Sequence, residues 1–256
     1  MTRALSFGYG LICYGVFFLS LLYAIGFTGD LVVPKTIDSG PRAGLALSLV
    51  VNLVLLGLFA VQHTVMARPA FKRWWTKIVP DPLERSTYVL AASLLLFLLY
   101  WQWRPLPAVI WNVESAASHA ALMALFWTGW LIVLASSFMV DHFDLFGLRQ
   151  VWLHLRRREY RHLPFCASLL YRYLRHPLML GLIVAFWATP LMTVGHLLFA
   201  IGTTAYILVG IQFEEHDLIR LLGQDYVDYR RRVPMLIPFL PKPGGKPPSP
   251  APARSP

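Results

Sequence analysis

Four apolar stretches of bilayer length, Phe7 to Phe27, Ala43 to Met66, Ser86 to Trp103 and Ala117 to Val140, precede a longer one, Leu178 to Phe213. Together they leave the chain few ways to fold. Hydrocarbon offers no partner to a backbone N–H or C=O, so a stretch of about 20 apolar residues crosses it as a helix. The long stretch is broken at Thr189 to Gly195, where Pro190 and Gly195 supply a turn. It predicts two tight spans, the first of them short. The expected fold class is an all-α polytopic membrane helical bundle: six transmembrane helices ending in a C-terminal helical hairpin, or five if the hairpin is only partly inserted.

Composition agrees, with 57% hydrophobic and 14% charged residues against the roughly 25% charged residues of a soluble domain. The net charge of +10 is explained by its sidedness and not by nucleic acid, which would need a soluble fold to display a basic patch. All lysines and arginines except Lys35, Arg42 and Arg104 lie at the N-terminus, in the second and fourth loops, or after the last span. The positive-inside rule then predicts both termini in the cytoplasm of an integral multi-pass protein, with a bacterial inner membrane as the expected setting. The single early cation Arg3, followed by an apolar run with no small-residue cleavage site, reads as a retained first span. Residues 1–239 are expected to form one membrane domain. The tail 240–256, PKPGGKPPSPAPARSP after Leu240, has the Pro, Gly and Ser content of a disordered segment. Cys13 and Cys166 show no ligand spacing, and no metal site is expected.

Polar residues gather where spans end. Arg175-His176-Pro177 opens the fifth span, with proline in the first helical turn, where its missing amide costs nothing. This reads either as a helix start with a snorkelling arginine or as amides and cations able to hold an anion. Glu214-Glu215 closes the sixth span, and acids at a helix C-terminus oppose its dipole. A placement so unfavourable points to function, although acids facing water cost little. Tyr226, Tyr229 and Arg230 to Arg232 follow on a short amphipathic stretch that would suit either a membrane surface or a ligand. Within the longest loop, Asp141 to His176, the run VWLHLRRREY predicts an amphipathic surface helix. Gln62-His63 ends the second span, as a cap or facing a site. His142, flanked by Asp141 and Asp144, could act as a base whose proton affinity those carboxylates raise. His119 and His196 fall at the opposite face.

The segments RHPLMLG and LGQDYVDYRRRVPMLIP, with the Glu214-Glu215 pair, resemble the C-terminal half of membrane methyltransferases of the isoprenylcysteine carboxyl methyltransferase type. VQHTVMARPAFKRWW and DLFGLRQVW extend the likeness to the nurim-like branch, and within it to its thiol-methylating members, over nearly the whole chain to Phe239. The resemblance implies a cofactor-binding part at about 141–239. Tyr173, His176 and Pro177 would line a cleft for S-adenosylmethionine, Glu214 and Glu215 would take its amino group or ribose, and Arg175 its carboxylate. Tyr229 with Arg230 would close the pocket. Leu169 stands where relatives commonly have glycine, and Met179 where they often have an aromatic residue. The implied reaction is direct methyl transfer to the sulfur of methanethiol, giving dimethyl sulfide. The implied partners are a small thiol and membrane lipids. Apart from the resemblance, His142 or His63 is the candidate base for the thiol proton. Competing readings are methylation of a prenylcysteine carboxylate or a lipid amine, or a non-catalytic nurim-like membrane protein.

Overall fold

The computed structural model describes residues 2–161 and 169–237. The Pro-rich tail predicted to be disordered and Cys166 lie outside the described residues. The helices are α1 (Arg3–Gly29), α2 (Leu45–Ala67), α3 (Pro69–Trp75), α4 (Asp81–Gln102), α5 (Ala116–Val140), α6 (His142–Leu145), α7 (Leu148–Leu155), α8 (Pro177–Trp187), α9 (Val194–Leu222) and α10 (Gln224–Arg232). Strands β1 (Val109–Asn112) and β2 (Leu191–Thr193) pair antiparallel. Five helices, α1, α2, α4, α5 and α9, are long and apolar enough to cross a membrane, and the protein is a polytopic helical bundle.

Of the two spans predicted in the long stretch, the first is a half-length piece. Helix α8 has 11 residues and so rises only ~16 Å of the roughly 30 Å of hydrocarbon. It is followed by β2, and the backbone on either side of that strand finds partners in the α4–α5 connection: Val113 N–H donates to Pro190 C=O at 2.9 Å, Val194 N–H to Ala108 C=O at 2.8 Å and Gly195 N–H to Leu106 C=O at 3.0 Å. Strand pairing thus meets the demand that otherwise forces a helix in lipid. At the same end Thr193 Oγ1 donates to Asp38 at 2.5 Å and Lys35 Nζ to Trp103 C=O at 2.7 Å.

Small residues bring α5 and α8 together. A Cβ on Gly181 would lie 2.7 Å from Gly129 O and 2.9 Å from Val133 N, so the two backbones touch, as they do in lipid-embedded helix pairs that lack a hydrophobic drive. The interior in the half away from the arginines is aromatic: Phe27, Trp103, Phe126, Trp130, Phe186 and Phe199 are all buried. Helix α7 carries only the first half of the expected amphipathic helix, with Val151 fully buried against Gly10 of α1; the run Arg156 to Tyr160 lies past its end and is not helical.

One boundary differs from the sequence reading in a way that matters. Helix α9 continues through Glu214 and Glu215 to Leu222. The pair therefore sits inside a helix rather than at its C-terminus, and the unfavourable-dipole argument does not apply. Arg220 occupies the last turn instead, where a cation is favourable.

Candidate functional site

The chain folds the two polar clusters onto each other. His176 is the N-cap of α8 and Pro177 its first residue. The strand-like segment after α10 then runs back along this start, with Arg175 N–H donating to Pro234 C=O at 2.9 Å and His176 N–H to Met235 C=O at 3.2 Å. That pairing turns both side chains toward α9. Glu215 accepts from Arg175 Nε at 2.6 Å and lies 3.2 Å from His176 Nε2, both on Oε1, while Arg230 Nε reaches Oε2 at 3.1 Å. Arg175 Nη1 also donates to the carbonyls of Arg230 at 3.1 Å and Val233 at 2.5 Å. Arg175, His176 and Glu215 are each under a tenth exposed. A buried carboxylate survives only when paired and hydrogen-bonded, and Glu215 is supplied with both.

The two acids of the pair have different situations. Glu214 is half-exposed, with His176 Nδ1 3.7 Å away. It remains available at the edge of a buried cluster holding two arginines against one carboxylate. Around it, Tyr229 OH donates to Tyr171 C=O at 2.6 Å. Burial, then the Glu214 charge, pushes the Tyr171 phenol up; burial, then Glu215, does the same to Tyr226. These phenols stay neutral donors. Tyr173 is 62% exposed and Pro177 buried. Leu169 has φ +46°, the left-handed region that glycine enters without strain.

The two candidate bases are treated differently by the fold. His142 is 5% exposed, with Nε2 2.8 Å from Tyr14 OH, Nδ1 2.9 Å from Ser137 Oγ and its ring stacked on Phe138 at 4.4 Å. Both of its nitrogens are engaged. Burial pulls its proton affinity down, and the Asp141 charge only partly offsets this. The expectation that carboxylates raise it gives way to desolvation, the larger effect here. His63 lies one turn before the end of α2, stacked on Phe59 at 5.2 Å and flanked by Tyr88 at 5.1 Å and Tyr206 at 6.3 Å. Its Nδ1 is buried with no hydrogen-bond partner among the described residues. One turn further, Arg68 pairs with Asp217 of α9 at 2.9 Å and lies over the Phe213 ring at 5.4 Å.

A cavity of about 570 Å³ opens between α3, α4 and the α6–α7 turn, lined by Lys72, Glu84, Arg85, Asp144 and His154 among others. None of the predicted cofactor-binding residues lines it. Lys72, whose proton affinity partial burial lowers against the pull of Glu84, is one of its cations, with Arg85 beside it. Phe59, Tyr88, Tyr206 and the Arg68–Asp217 pair were not singled out from sequence. The signal present was spacing: Tyr206, Gly210, Glu214 and Asp217 recur at helical period on one face of α9.

Comparison with known proteins follows this geometry. A methanethiol S-methyltransferase of Mycobacterium tuberculosis is 61% identical over 239 residues, covering 93% of this chain and 98% of its own. Methanethiol S-methyltransferase 2 of Bradyrhizobium diazoefficiens is 56% identical over 91% of this chain and 89% of its own. Mouse nurim is 34% identical over 69% of this chain and 70% of its own. No solved structure matches the chain. The profile of the NnrU protein family matches residues 51–228, and with these relatives on either side of that match the chain belongs to the NnrU protein family.

Proposed function

We propose that this protein is an S-adenosylmethionine-dependent methyltransferase that converts methanethiol to dimethyl sulfide. The observation that carries the reading is the half-exposed Glu214 beside the buried Arg175–His176–Glu215–Arg230 cluster, in a chain similar over nearly its full length to enzymes named for that acceptor. The basic face is the cytoplasmic one on the positive-inside rule, with both termini there and a bacterial inner membrane around the bundle.

The residues fit an amino-acid sulfonium. Glu214 faces the donor's amino group or ribose hydroxyls as an uncommitted carboxylate. Glu215 is spent on Arg175, His176 and Arg230, so its part is to hold those cations in register. Two guanidinium groups against one carboxylate leave a positive surplus for the donor's carboxylate, reinforced by the N-terminus of α8. Tyr229 and Arg230 close the pocket, and exposed Tyr173 and buried Pro177 border it. A sulfonium is already an activated methyl donor. The protein's remaining task is to hold a thiolate, the competent nucleophile, in line with the methyl at about 3 to 3.5 Å and to keep water out.

The test is headspace detection of dimethyl sulfide from cells expressing the chain and given methanethiol, paired with donor binding to the purified protein. The expected result is dimethyl sulfide from the wild type and its loss in a Glu214→Gln, Glu215→Gln double variant. Donor binding with methyl transfer only to a prenylcysteine or lipid amine would replace the acceptor. No donor binding at all would leave a non-catalytic membrane protein.

A further inference from the structure

We infer that the acceptor thiol is bound and deprotonated in the seam between α2 and α9, with His63 Nδ1 taking its proton; this rests on the methyl-transfer reading above. Three observations meet there. His63 Nδ1 is buried and has no hydrogen-bond partner among the described residues, a state that buried polar atoms rarely keep unless something else completes them. The imidazole is ringed by Phe59, Tyr88 and Tyr206, which offer apolar, polarizable surface. Aromatic faces and edges suit a sulfur atom, and the Arg85 guanidinium over the Tyr88 ring at 5.1 Å sets a cation at the edge of the cage. Gly210 lies one turn from Tyr206 and one turn from Glu214 on the same face of α9, and a Cβ there would meet no atom within 4 Å.

The geometry sets an order along α9. Tyr206, level with His63, and Glu214 are separated by about 12 Å of helix rise, enough for a thiol, a transferred methyl and the methionyl arm in series. The basic end of the seam is shut by the Arg68–Asp217 pair at 2.9 Å, while its flanks face lipid, where a small uncharged thiol partitions. In the step, the S–H bond breaks toward Nδ1 and the sulfur's electron pair forms a bond to the sulfonium methyl carbon. The old carbon–sulfur bond leaves its pair on the donor's sulfur, now a neutral thioether. The imidazolium returns its proton to water after the products leave.

The experiment measures methyl transfer and donor binding by the full chain in lipid nanodiscs with methanethiol and longer alkanethiols. His63→Ala and the size-matched His63→Gln are expected to lower kcat/KM for methanethiol at pH 7 by about 100-fold, with donor affinity unchanged as proof of a folded site. Raising the pH supplies thiolate from solution, so these variants recover about tenfold per pH unit until the thiol is ionised, whereas the wild type does not. Phe59→Ala widens the cage and shifts preference toward butanethiol by about tenfold or more. Wild-type kcat/KM in both His63 variants, or a loss that pH does not restore, overturns the acceptor site alone. A wild type that binds no donor overturns the methyl-transfer reading beneath it as well.

Discussion

Two helix seams in this bundle are built on opposite principles. Between α5 and α8, Gly129 and Gly181 put backbone against backbone, and a side chain on either would meet main-chain atoms at 2.6 to 2.7 Å. Between α2 and α9, Gly210 faces open space, and the contacts are rings, a hydroxyl pair at 3.5 Å and one ion pair near the end. The first seam has no volume to give a ligand and holds α8 in place; the second is tight at Gly202, against Leu56, but open at Gly210, and it holds an unsatisfied nitrogen. The Glu215 clasp joins them, because it ties the start of α8 to α9. Rigid support on one side and room on the other is what a site needs for reacting groups to meet at fixed distance.

The largest effect is expected from cutting the clasp. Glu215→Ala leaves Arg175, only 5% exposed in its side chain, buried without its carboxylate, at a cost of about 3–5 kcal/mol. Thermal unfolding in detergent should show it, and donor binding should vanish with it. A Glu215→Ala protein as stable as the wild type would mean that the two seams are not coupled through this residue.

Leucine at the two glycines separates the seams directly. Gly181→Leu must displace backbone and is expected to cost about 1–3 kcal/mol or more. Gly210→Leu has space around it, so its unfolding midpoint should stay near the wild-type value while methyl transfer falls. Equal destabilisation by the two substitutions would erase the contrast. A smaller effect falls to Tyr229→Phe, which removes the 2.6 Å bond to Tyr171 C=O and is expected to cost about 1 kcal/mol, read from the same unfolding curves.

Much of this was legible in the sequence, and the misses share a cause. Apolar length located the five long helices. The RHP start predicted a helix N-terminus at Pro177, and charge sidedness predicted that Arg175 and Glu215 would share a face. The long apolar stretch did not reveal the short strand that follows α8, because Leu191 and Met192 carry the hydropathy of a helix and their partners lie far away at Trp111 and Asn112. Glu214-Glu215 read as a helix end because local polarity resembles a boundary, whereas α9 continues past it through Arg220 to Leu222. His63 and His142 could not be ranked from neighbours in sequence. What distinguishes them is Tyr14, Ser137 and Phe138 closing on one and three aromatic rings standing off the other.

That difference between the histidines yields the smallest and most specific prediction. In the folded protein His142 is held neutral, chiefly by burial, while in the unfolded chain it titrates near 6.5. Between the depressed folded value and 6.5 the unfolded chain therefore binds more protons, so stability rises with pH across that window. Its contribution is complete above 6.5, is lost progressively as pH falls toward the folded value, and changes no further below it. Unfolding midpoints in detergent from pH 7.5 down to 5 should decline in the wild type and decline less in His142→Gln, which keeps hydrogen-bonding capacity for Tyr14 and Ser137 but has no proton to gain. Identical slopes would mean that the acid sensitivity comes from other groups and that the stacked pocket at the end of α5 exerts no pull on the protonation of its histidine.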